Sequence, residues 1–100
     1  MSELSAAQRK HLRGLAHSLA PAVQVGKQGL TDTVLRSLDE ALTARELIKV
    51  KFVALKEEKR EIAAEIDARL GSTCVGTIGH IAILYREQPD PDKRRITLPK

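Results

Sequence analysis

The stretch Ala22-Val-Gln-Val-Gly-Lys-Gln-Gly-Leu-Thr31 joins a short strand to a helix through two glycines. Its first four residues are typical of a strand, and they follow Pro21, which ends the preceding helix. Thr31 is placed to cap a second helix, and Asp32 lies in the first turn, where the helix dipole favours a negative charge. A strand and a helix joined by Gly26-Lys-Gln-Gly29 predict the first half of a strand-helix-strand crossover.

The residues before this stretch predict a helix over residues 5–19. Ser5 and Gln8 have the spacing of a capping box, in which each side chain accepts a hydrogen bond from the other residue's backbone N–H. An apolar stripe at helical spacing is formed by Leu12, Leu15, Ala16 and Leu19. We expect these side chains to face the core and the basic ones to lie opposite them, namely Lys10, Arg13 and His17.

The residues directly after Thr31 predict a helix and then a strand. The helix has an apolar face formed by Val34, Leu35, Leu38, Ala41 and Leu42. Residues 47–53 alternate in polarity, which indicates a half-buried strand. Ile48, Val50 and Phe52 point to one side of this strand. Lys49 and Lys51 point to the other, so that its outer face is basic.

The remaining elements are a third helix and a hairpin. The helix runs from about residue 57 to residue 70 and buries Ile62, Ile66 and Leu70, with Gly71 as its stop. Residues 73–78 and 81–86 are apolar runs separated by Gly79-His80, and this spacing predicts a tight turn between two strands.

The predicted order of elements is α-β-α-β-α-β-β. Two crossovers followed by a hairpin predict an α/β chain in a two-layer α+β arrangement, with a four-stranded mixed sheet backed by helices. Residues 1–100 then form a single domain, in which residues 87–100 are a basic C-terminal tail. Ile96-Thr-Leu98 in this tail is a candidate for a short edge strand.

The composition narrows the class of protein. One hundred residues fit one domain, and Phe52 and Tyr85 are the two aromatic residues, which excludes a surface built on several stacking rings. Seventeen Lys and Arg against 13 Asp and Glu give a net charge of +4, which favours a polyanionic partner. A single cysteine permits no internal disulfide, and no segment is long and apolar enough to cross a membrane. We expect a cytoplasmic monomer.

The loop Gly26, Lys27, Gln28, Gly29 is the strongest local candidate for a binding site. Glycines let a backbone approach a ligand closely, and exposed amides at a helix start favour anions, so the loop could seat a phosphate with Lys27 adding charge. The alternative is a plain strand-to-helix turn. The Walker pattern GxxxxGK[ST] is absent, and the loop of a KH domain joins two helices rather than a strand and a helix.

Charged side chains form two further groups. Lys10, Arg13 and His17 on the first helix and Lys49 and Lys51 on a strand are either ordinary solvated faces or, with the loop, a surface for a polyanion. Lys93-Arg-Arg95 is a third basic cluster, or simply part of a solvated tail. We expect the acidic stripe of the third helix to turn away from a nucleic acid; it consists of Glu57, Glu58, Glu61 and Glu65.

Residues able to carry catalysis or hold a metal are poorly arranged. His11 and His17 are six residues apart on a helix and cannot share a face as metal ligands. Cys74 lies within a strand run and is expected to be buried and inert. The sequence therefore predicts no enzyme, no cofactor, no metal and no small-molecule substrate.

Five segments together resemble the CRM domain, named for chloroplast RNA splicing and ribosome maturation, in its stand-alone bacterial form, often called YhbY-like. They are His11-Leu-Arg-Gly-Leu-Ala-His17, Val25-Gly-Lys-Gln-Gly-Leu-Thr31, Glu46-Leu-Ile-Lys-Val-Lys51, Val75-Gly-Thr-Ile-Gly79 and Ile83-Leu-Tyr-Arg86. The resemblance runs from about Ser5 to Leu98. It implies a fold similar to the C-terminal domain of bacterial translation initiation factor three, with an additional N-terminal helix.

The resemblance also implies RNA binding through the GxxG loop and the adjoining basic surface, in association with precursors of the large ribosomal subunit. The loop maps to Gly26, Lys27, Gln28 and Gly29. The basic support maps to Lys10, Arg13, Lys49, Lys51 and Arg86. The expected partner is RNA, namely 23S ribosomal RNA in precursors of the 50S subunit.

The leading hypothesis is a non-enzymatic protein that recognises structured ribosomal RNA by phosphate and shape, as an assembly factor of the large subunit. An alternative is a protein-binding adaptor that offers an exposed sheet edge to a partner. A third hypothesis is an enzyme that acts on a small phosphorylated ligand at Gly26–Gly29. Steep salt dependence of binding favours the first over the second.

Overall fold

A computed structural model describes residues 4–99 and contains the predicted helices and strands. The helices are α1 (Ala6–Ala16), α2 (Asp32–Arg45) and α3 (Lys59–Leu70), and the strands are β1 (Pro21–Val25), β2 (Leu47–Phe52), β3 (Thr73–Ile78) and β4 (Ile81–Tyr85). Short 3-10 turns span Lys56–Glu58 and Pro91–Lys93. The predicted order of elements is confirmed.

The four strands form one mixed sheet in the order β1-β2-β4-β3. β1 pairs parallel to β2, whereas β4 pairs antiparallel to both β2 and β3. The GxxG loop, the segment after β2 and the β3–β4 turn therefore all lie at one end of the sheet, which we call the loop end. Leu47, Tyr85 and Thr73 lie at the other end.

Each face of the sheet carries its own apolar core. On one face, α2 and α3 pack Leu38, Leu42 and Ile66 against Ile48 and Val50 of β2. On the other face lies a second cluster formed by Leu12, Ala16, Leu47, Val75, Ile83 and Tyr85. The mixed sheet backed by helices is confirmed, but the helices cover both faces, so the arrangement has three layers where the sequence predicted two. β2 contributes to both cores, with Ile48, Val50 and Phe52 on the face toward α2 and α3 and Leu47 on the face toward α1.

The helix ends follow the predicted caps. Ser5 Oγ accepts from the Gln8 amide at 3.1 Å and Gln8 Oε1 from the Ser5 amide at 2.9 Å, which completes the capping box. Thr31 Oγ1 accepts from the Val34 amide at 3.1 Å. Gly71 ends α3 with a φ of +69°, the left-handed region that favours glycine.

The interpretation of Leu15 as a core residue is wrong. Its side chain is 41% exposed, whereas Leu12 and Ala16 are fully buried against the sheet. α1 ends at Ala16, so the predicted apolar stripe does not continue along the helix to Leu19. The helix contacts the sheet through a narrow face, in which Leu12 and Ala16 are the buried residues. Leu15 lies on the flank of the helix, where it lines an open groove together with Leu47 and Ile96.

The C-terminal tail packs on the α1 side of the sheet without forming a strand. Ile96 and Leu98 contact the second core, and within residues 4–99 the predicted edge strand at Ile96-Thr-Leu98 is absent. The amides of Arg95 and Ile96 donate instead to Oε1 of the buried Glu46, at 2.5 and 3.2 Å. A side-chain acceptor thus satisfies the amides that a sheet ladder would otherwise have paired. No helix within residues 4–99 is long and apolar enough to cross a membrane.

Candidate nucleic-acid interface

The GxxG loop is a tight turn that presents two side chains to solvent. The Gly29 amide donates to the Gly26 carbonyl at 3.0 Å, and the Thr31 amide donates to the Gly29 carbonyl at 3.1 Å. Gly29 is buried with a φ of +69°, so its left-handed backbone requires a glycine or a residue that tolerates this region. Lys27 and Gln28 are exposed at the tip, where they can meet a ligand.

The start of α2 contributes less to anion binding than the sequence suggested. The Val34 amide already donates a hydrogen bond to the Thr31 hydroxyl, and Asp32 places a negative charge in the first turn of the helix. Both features satisfy the positive end of the helix dipole from within the chain. A phosphate placed at this loop would therefore meet Lys27 and the loop backbone rather than a free helix start.

The two predicted lysines of β2 lie on the α1 face of the sheet. Lys49 donates from Nζ to the His17 carbonyl at 3.3 Å and so binds the end of α1 to the strand. Lys51 is exposed, one step nearer the loop end. Lys51 is thus available to a ligand, whereas Lys49 also has a structural contact.

Arg13 is held against the edge of the sheet. Its Nη1 donates to the Val75 carbonyl at 3.0 Å, beside the irregularity that interrupts the β3–β4 register between Cys74 and Gly76. A Cβ at Gly76 would lie 2.7 Å from Arg13 Cδ, so the glycine makes room for the arginine stem. Lys10 is exposed one turn earlier on α1. This contact was not predicted from the sequence; a glycine within the β3 run, Gly76, is the one local feature that indicates a close approach by another group.

Arg86 does not join this surface. It directly follows β4 at the end of the sheet away from the loop, and about 17 Å of strand separates it from Ile81 at the loop end. Its guanidinium donates to Asp39 Oδ1 at 2.8 Å, to Thr43 Oγ1 at 2.8 Å and to the carbonyls of Asp39 and Leu70 at 3.0 and 2.9 Å. Arg86 therefore ties α2 to α3 and has little capacity left for RNA.

The acidic stripe of α3 lies close to the loop rather than remote from it. Glu58, Glu61 and Glu65 line an open groove that reaches Gly29 and Leu30. The sequence predicts that this stripe turns away from a nucleic acid, and that stays a prediction; the structure places three of its glutamates beside the loop, because the segment after β2 carries the start of α3 back to the loop end. On its α3 side the loop therefore meets three carboxylates and one guanidinium, that of Arg69, which pairs with Glu65 at 3.0 Å, and on its α1 side lies the exposed Lys51.

Sequence reasoning missed two apolar side chains at the loop end. Ile78 at the end of β3 is 61% exposed, and Val53 directly after β2 is 48% exposed. Lys59 at the start of α3 donates to the Gly79 carbonyl in the neighbouring turn, which holds α3 beside the hairpin. Because an apolar residue in a strand normally predicts burial, no sequence signal marked Ile78 as a surface residue.

The described residues offer no arrangement for metal chemistry. Among residues 4–99, no three His, Cys, Asp or Glu side chains are grouped so that they could hold an ion. Cys74 is half-buried, and desolvation by burial raises the pKa of its thiol. A raised pKa keeps the thiol protonated at neutral pH, so it is a poor nucleophile.

Comparisons with known proteins agree with this geometry. The protein-family model of the CRS1 / YhbY (CRM) domain matches the sequence of residues 4–86. An RNA-binding protein of Haemophilus influenzae is 43% identical over 100% of this chain and 99% of its own length. The Bacillus subtilis protein named "Probable RNA-binding protein YqeI" is 39% identical over 96% of this chain and 99% of its own.

A solved structure supports the same assignment. The solution structure of a Staphylococcus aureus protein, described as a candidate RNA-binding protein, superposes with a TM-score of 0.79 at 31% identity. The match covers 95% of this chain and 100% of that one. With its mixed sheet, its GxxG loop between β1 and α2 and its match to the family model, this chain belongs to the CRS1/YhbY (CRM) domain family.

Proposed function

We propose that this protein binds RNA at the loop end of the sheet, with the GxxG loop against a phosphate and a basic surface beside it. The surface consists of Lys10, Arg13 and Lys51, with Lys49 as a structural support. The observation that carries the proposal is the exposed Lys27 at the tip of a glycine turn, at the same end of the sheet as the exposed Lys51. The relatives named as RNA-binding proteins support RNA as the polyanion.

Recognition would rest on phosphate and shape rather than on aromatic stacking. Phe52 is fully buried and Tyr85 is 5% exposed, and these are the two aromatic residues of the chain. Stacking on aromatic side chains is the usual way in which proteins hold splayed bases. A structured RNA, read through its backbone, is therefore the better substrate.

We assign this RNA to 23S ribosomal RNA in precursors of the 50S subunit, so that the protein acts in the cytoplasm as a non-enzymatic assembly factor. Support comes from the resemblance of the ordered motifs to the ribosome-maturation branch of the CRM family. A monomer of 100 residues would hold one folding intermediate of the RNA through a single surface. Arg86 is not part of that surface.

The edges of the sheet give little support to the alternative of a protein-binding adaptor. The edge of β3 is interrupted by its register shift, and Arg13 already occupies the Val75 carbonyl there. The other edge strand, β1, begins with Pro21, which has no N–H to donate. Bulges and prolines are features that protect a sheet edge from further pairing.

Crosslinking in cells, followed by sequencing of the attached RNA, tests the proposal. We expect enrichment of 23S precursor sequences for the parent protein and a clear loss for the double variant Lys27→Glu, Lys51→Glu. Lys93→Glu is the matched control, because Lys93 is exposed beside α2 and away from the loop end. Enrichment of messenger RNA without ribosomal RNA would overturn the assignment to the ribosome.

A further inference from the structure

The charges on the two sides of the GxxG loop allow one direction of approach for an RNA backbone. Glu58, Glu61 and Glu65 line the groove on the α3 side of the loop, and Arg69, which also lines it, is paired with Glu65 at 3.0 Å, so that the groove keeps a net negative charge. Lys51 lies on the opposite side, where the sheet faces α1. Like charges repel a polyanion, so a strand whose phosphate contacts the loop continues across the α1 face of the sheet.

A row of four paired residues crosses the sheet along this route. Gln24 pairs with Lys51, Lys51 with Ile81, and Ile81 with Ile78. Directly paired residues project from the same face, and Ile81 belongs to the cluster on the α1 face. Three strand spacings give the row a length of about 14 Å. We call these four residues the open row.

α1 covers the neighbouring row but leaves the open row accessible. The neighbouring row contains Lys49, Ile83 and Gly76, and α1 contacts both of its ends, through the His17 carbonyl at Lys49 and the Arg13 stem at Gly76. In the open row, Gln24, Lys51 and Ile78 are exposed. α1 thus forms one wall of a shallow surface that is basic in the middle and apolar at the β3 end.

We propose that the open row holds an unpaired nucleotide that continues from an RNA helix bound at the GxxG loop, with Lys51 on its phosphate and Ile78 and Ile81 against the face of its base. This inference rests on the proposed function and specifies the substrate: a junction between duplex and unpaired RNA. A duplex keeps the faces of its internal bases stacked on one another, so along its length it offers no base face to Ile78. An unpaired base does, and its contact removes apolar area of both partners from water.

Two RNA probes separate these substrates. One is a fluorescein-labelled hairpin with a blunt stem, and the other is the same hairpin with five unpaired nucleotides added at one end. We expect the parent to bind the extended hairpin about fivefold or more tightly than the blunt one, as burial of an exposed aliphatic side chain permits. Ile78→Ser removes that difference and leaves the affinity for the blunt hairpin unchanged.

Leu15→Ser is the matched control, because Leu15 is also an exposed aliphatic side chain but lies on the flank of α1 beside the tail. We expect it to keep the preference for the extended hairpin. Thermal melting of both variants verifies that they fold. Equal affinity of the parent for the two hairpins, or loss of the preference in Leu15→Ser, would overturn this inference while the RNA-binding proposal stands. Failure of the parent to bind either hairpin would overturn both.

Discussion

Gly29 shows how one residue couples the fold to the proposed site. A Cβ at this position would lie 3.5 Å from Leu55 Cδ1, an ordinary contact, so the positive φ rather than lack of space accounts for the glycine. Asn and Asp tolerate this region, whereas Ala loses about 1 to 2 kcal/mol there. The backbone requirement and the charge requirement at the loop can therefore be tested separately.

We expect Gly29→Asn to keep the fold and much of the RNA affinity, and Gly29→Asp to keep the fold but lose more affinity than Lys27→Ala. The aspartate sets a negative charge against a phosphate, whereas Lys27→Ala removes about one phosphate contact. RNA titrations combined with circular dichroism of each variant check this. Affinity equal to the parent in a folded Gly29→Asp variant would remove the loop from the binding site.

Tyr85 carries a buried hydroxyl that has no hydrogen-bond partner within residues 4–99. Desolvation by burial, with the nearby Glu46 and Glu87 carboxylates, raises its pKa to about 12. An unfolded chain loses this proton near pH 10, so the folded state holds the proton more tightly. The resulting stability is present below about pH 10 and is lost as the pH rises toward 12.

We expect Tyr85→Phe to reduce this loss of stability between pH 10 and 12 and to leave stability at neutral pH equal or slightly higher, because it removes an unsatisfied polar group. Urea unfolding across this pH range measures the difference. The chain has one tyrosine and no tryptophan, so ultraviolet titration of the parent reports directly on Tyr85. A phenol that titrates near pH 10 in the folded protein would contradict this account.

At the scale of secondary-structure elements, α1 is attached through a narrow face. Leu12 is fully buried in the second core, whereas Leu15 lies beside the tail with much of its side chain in solvent. We expect Leu12→Ala to cost about 2 to 5 kcal/mol and Leu15→Ala less than about 1 kcal/mol. Chemical unfolding of the two variants measures this. Equal losses would place α1 in a different rotation about its axis.

The tail is attached to the sheet through Glu46. This residue is 1% exposed and has a φ of +65°, and its carboxylate accepts from three amides, those of Gln88, Arg95 and Ile96. Within residues 4–99, no lysine or arginine side chain forms an ion pair with this carboxylate. The carboxylate is therefore held by backbone amides, and together with the packing of Ile96 and Leu98 these hydrogen bonds attach the chain after Pro91–Lys93 to the sheet.

We expect Glu46→Gln to destabilise the protein by about 1 to 3 kcal/mol, because hydrogen bonds to a charged acceptor are weakened and one amide loses its partner. The amides of Arg95 and Ile96 should exchange hydrogen faster in this variant, whereas those of β2 should keep their protection relative to global unfolding. Glu40→Gln is the control, since Glu40 is exposed on α2. Unchanged exchange of the tail amides would show that Ile96 and Leu98 hold the tail without Glu46.

At the scale of the whole molecule, the distribution of charge governs binding. The net charge of +4 is modest, but it is unevenly distributed around the loop. Glutamates line the groove on its α3 side, whereas Lys51 lies on its α1 side. A protein that binds through phosphates loses affinity about tenfold between roughly 50 and 200 mM salt for every two phosphates contacted, because each contact releases counterions. The slope of log affinity against log salt therefore gives the number of phosphates that the protein contacts.

We expect Lys27→Ala and Lys51→Ala each to lower the slope of log affinity against log salt by about one contact, and Lys93→Ala to leave it unchanged. Filter-binding titrations over that salt range provide the slopes. Glu61→Gln should raise affinity at low salt more than at high salt, because it removes repulsion at the edge of the groove. A slope near zero for the parent would contradict recognition through phosphates.

Sequence alone determined the features that depend on neighbours along the chain. The capping box at Ser5, the cap at Thr31, the glycine stop at Gly71 and the alternation of β2 each involve residues within a few positions, so their patterns are visible without the fold. The order of these elements was also sufficient to predict a mixed four-stranded sheet, because crossovers and a hairpin constrain the directions of the strands. The GxxG loop could also be identified from the sequence, because its two glycines lie within four consecutive residues between a strand and a helix.

Only the tertiary structure decided which distant residues share a surface. Arg86 matches a family motif, yet it lies at the far end of the sheet and is used between α2 and α3. The α3 glutamates lie beside the loop, and α1 covers the second face of the sheet. Packing between distant segments sets both placements, so no local sequence pattern predicts them. Ile78 is exposed for the same reason: α1 crosses the sheet one row short of it, and that stopping point is set by contacts between segments far apart in the chain.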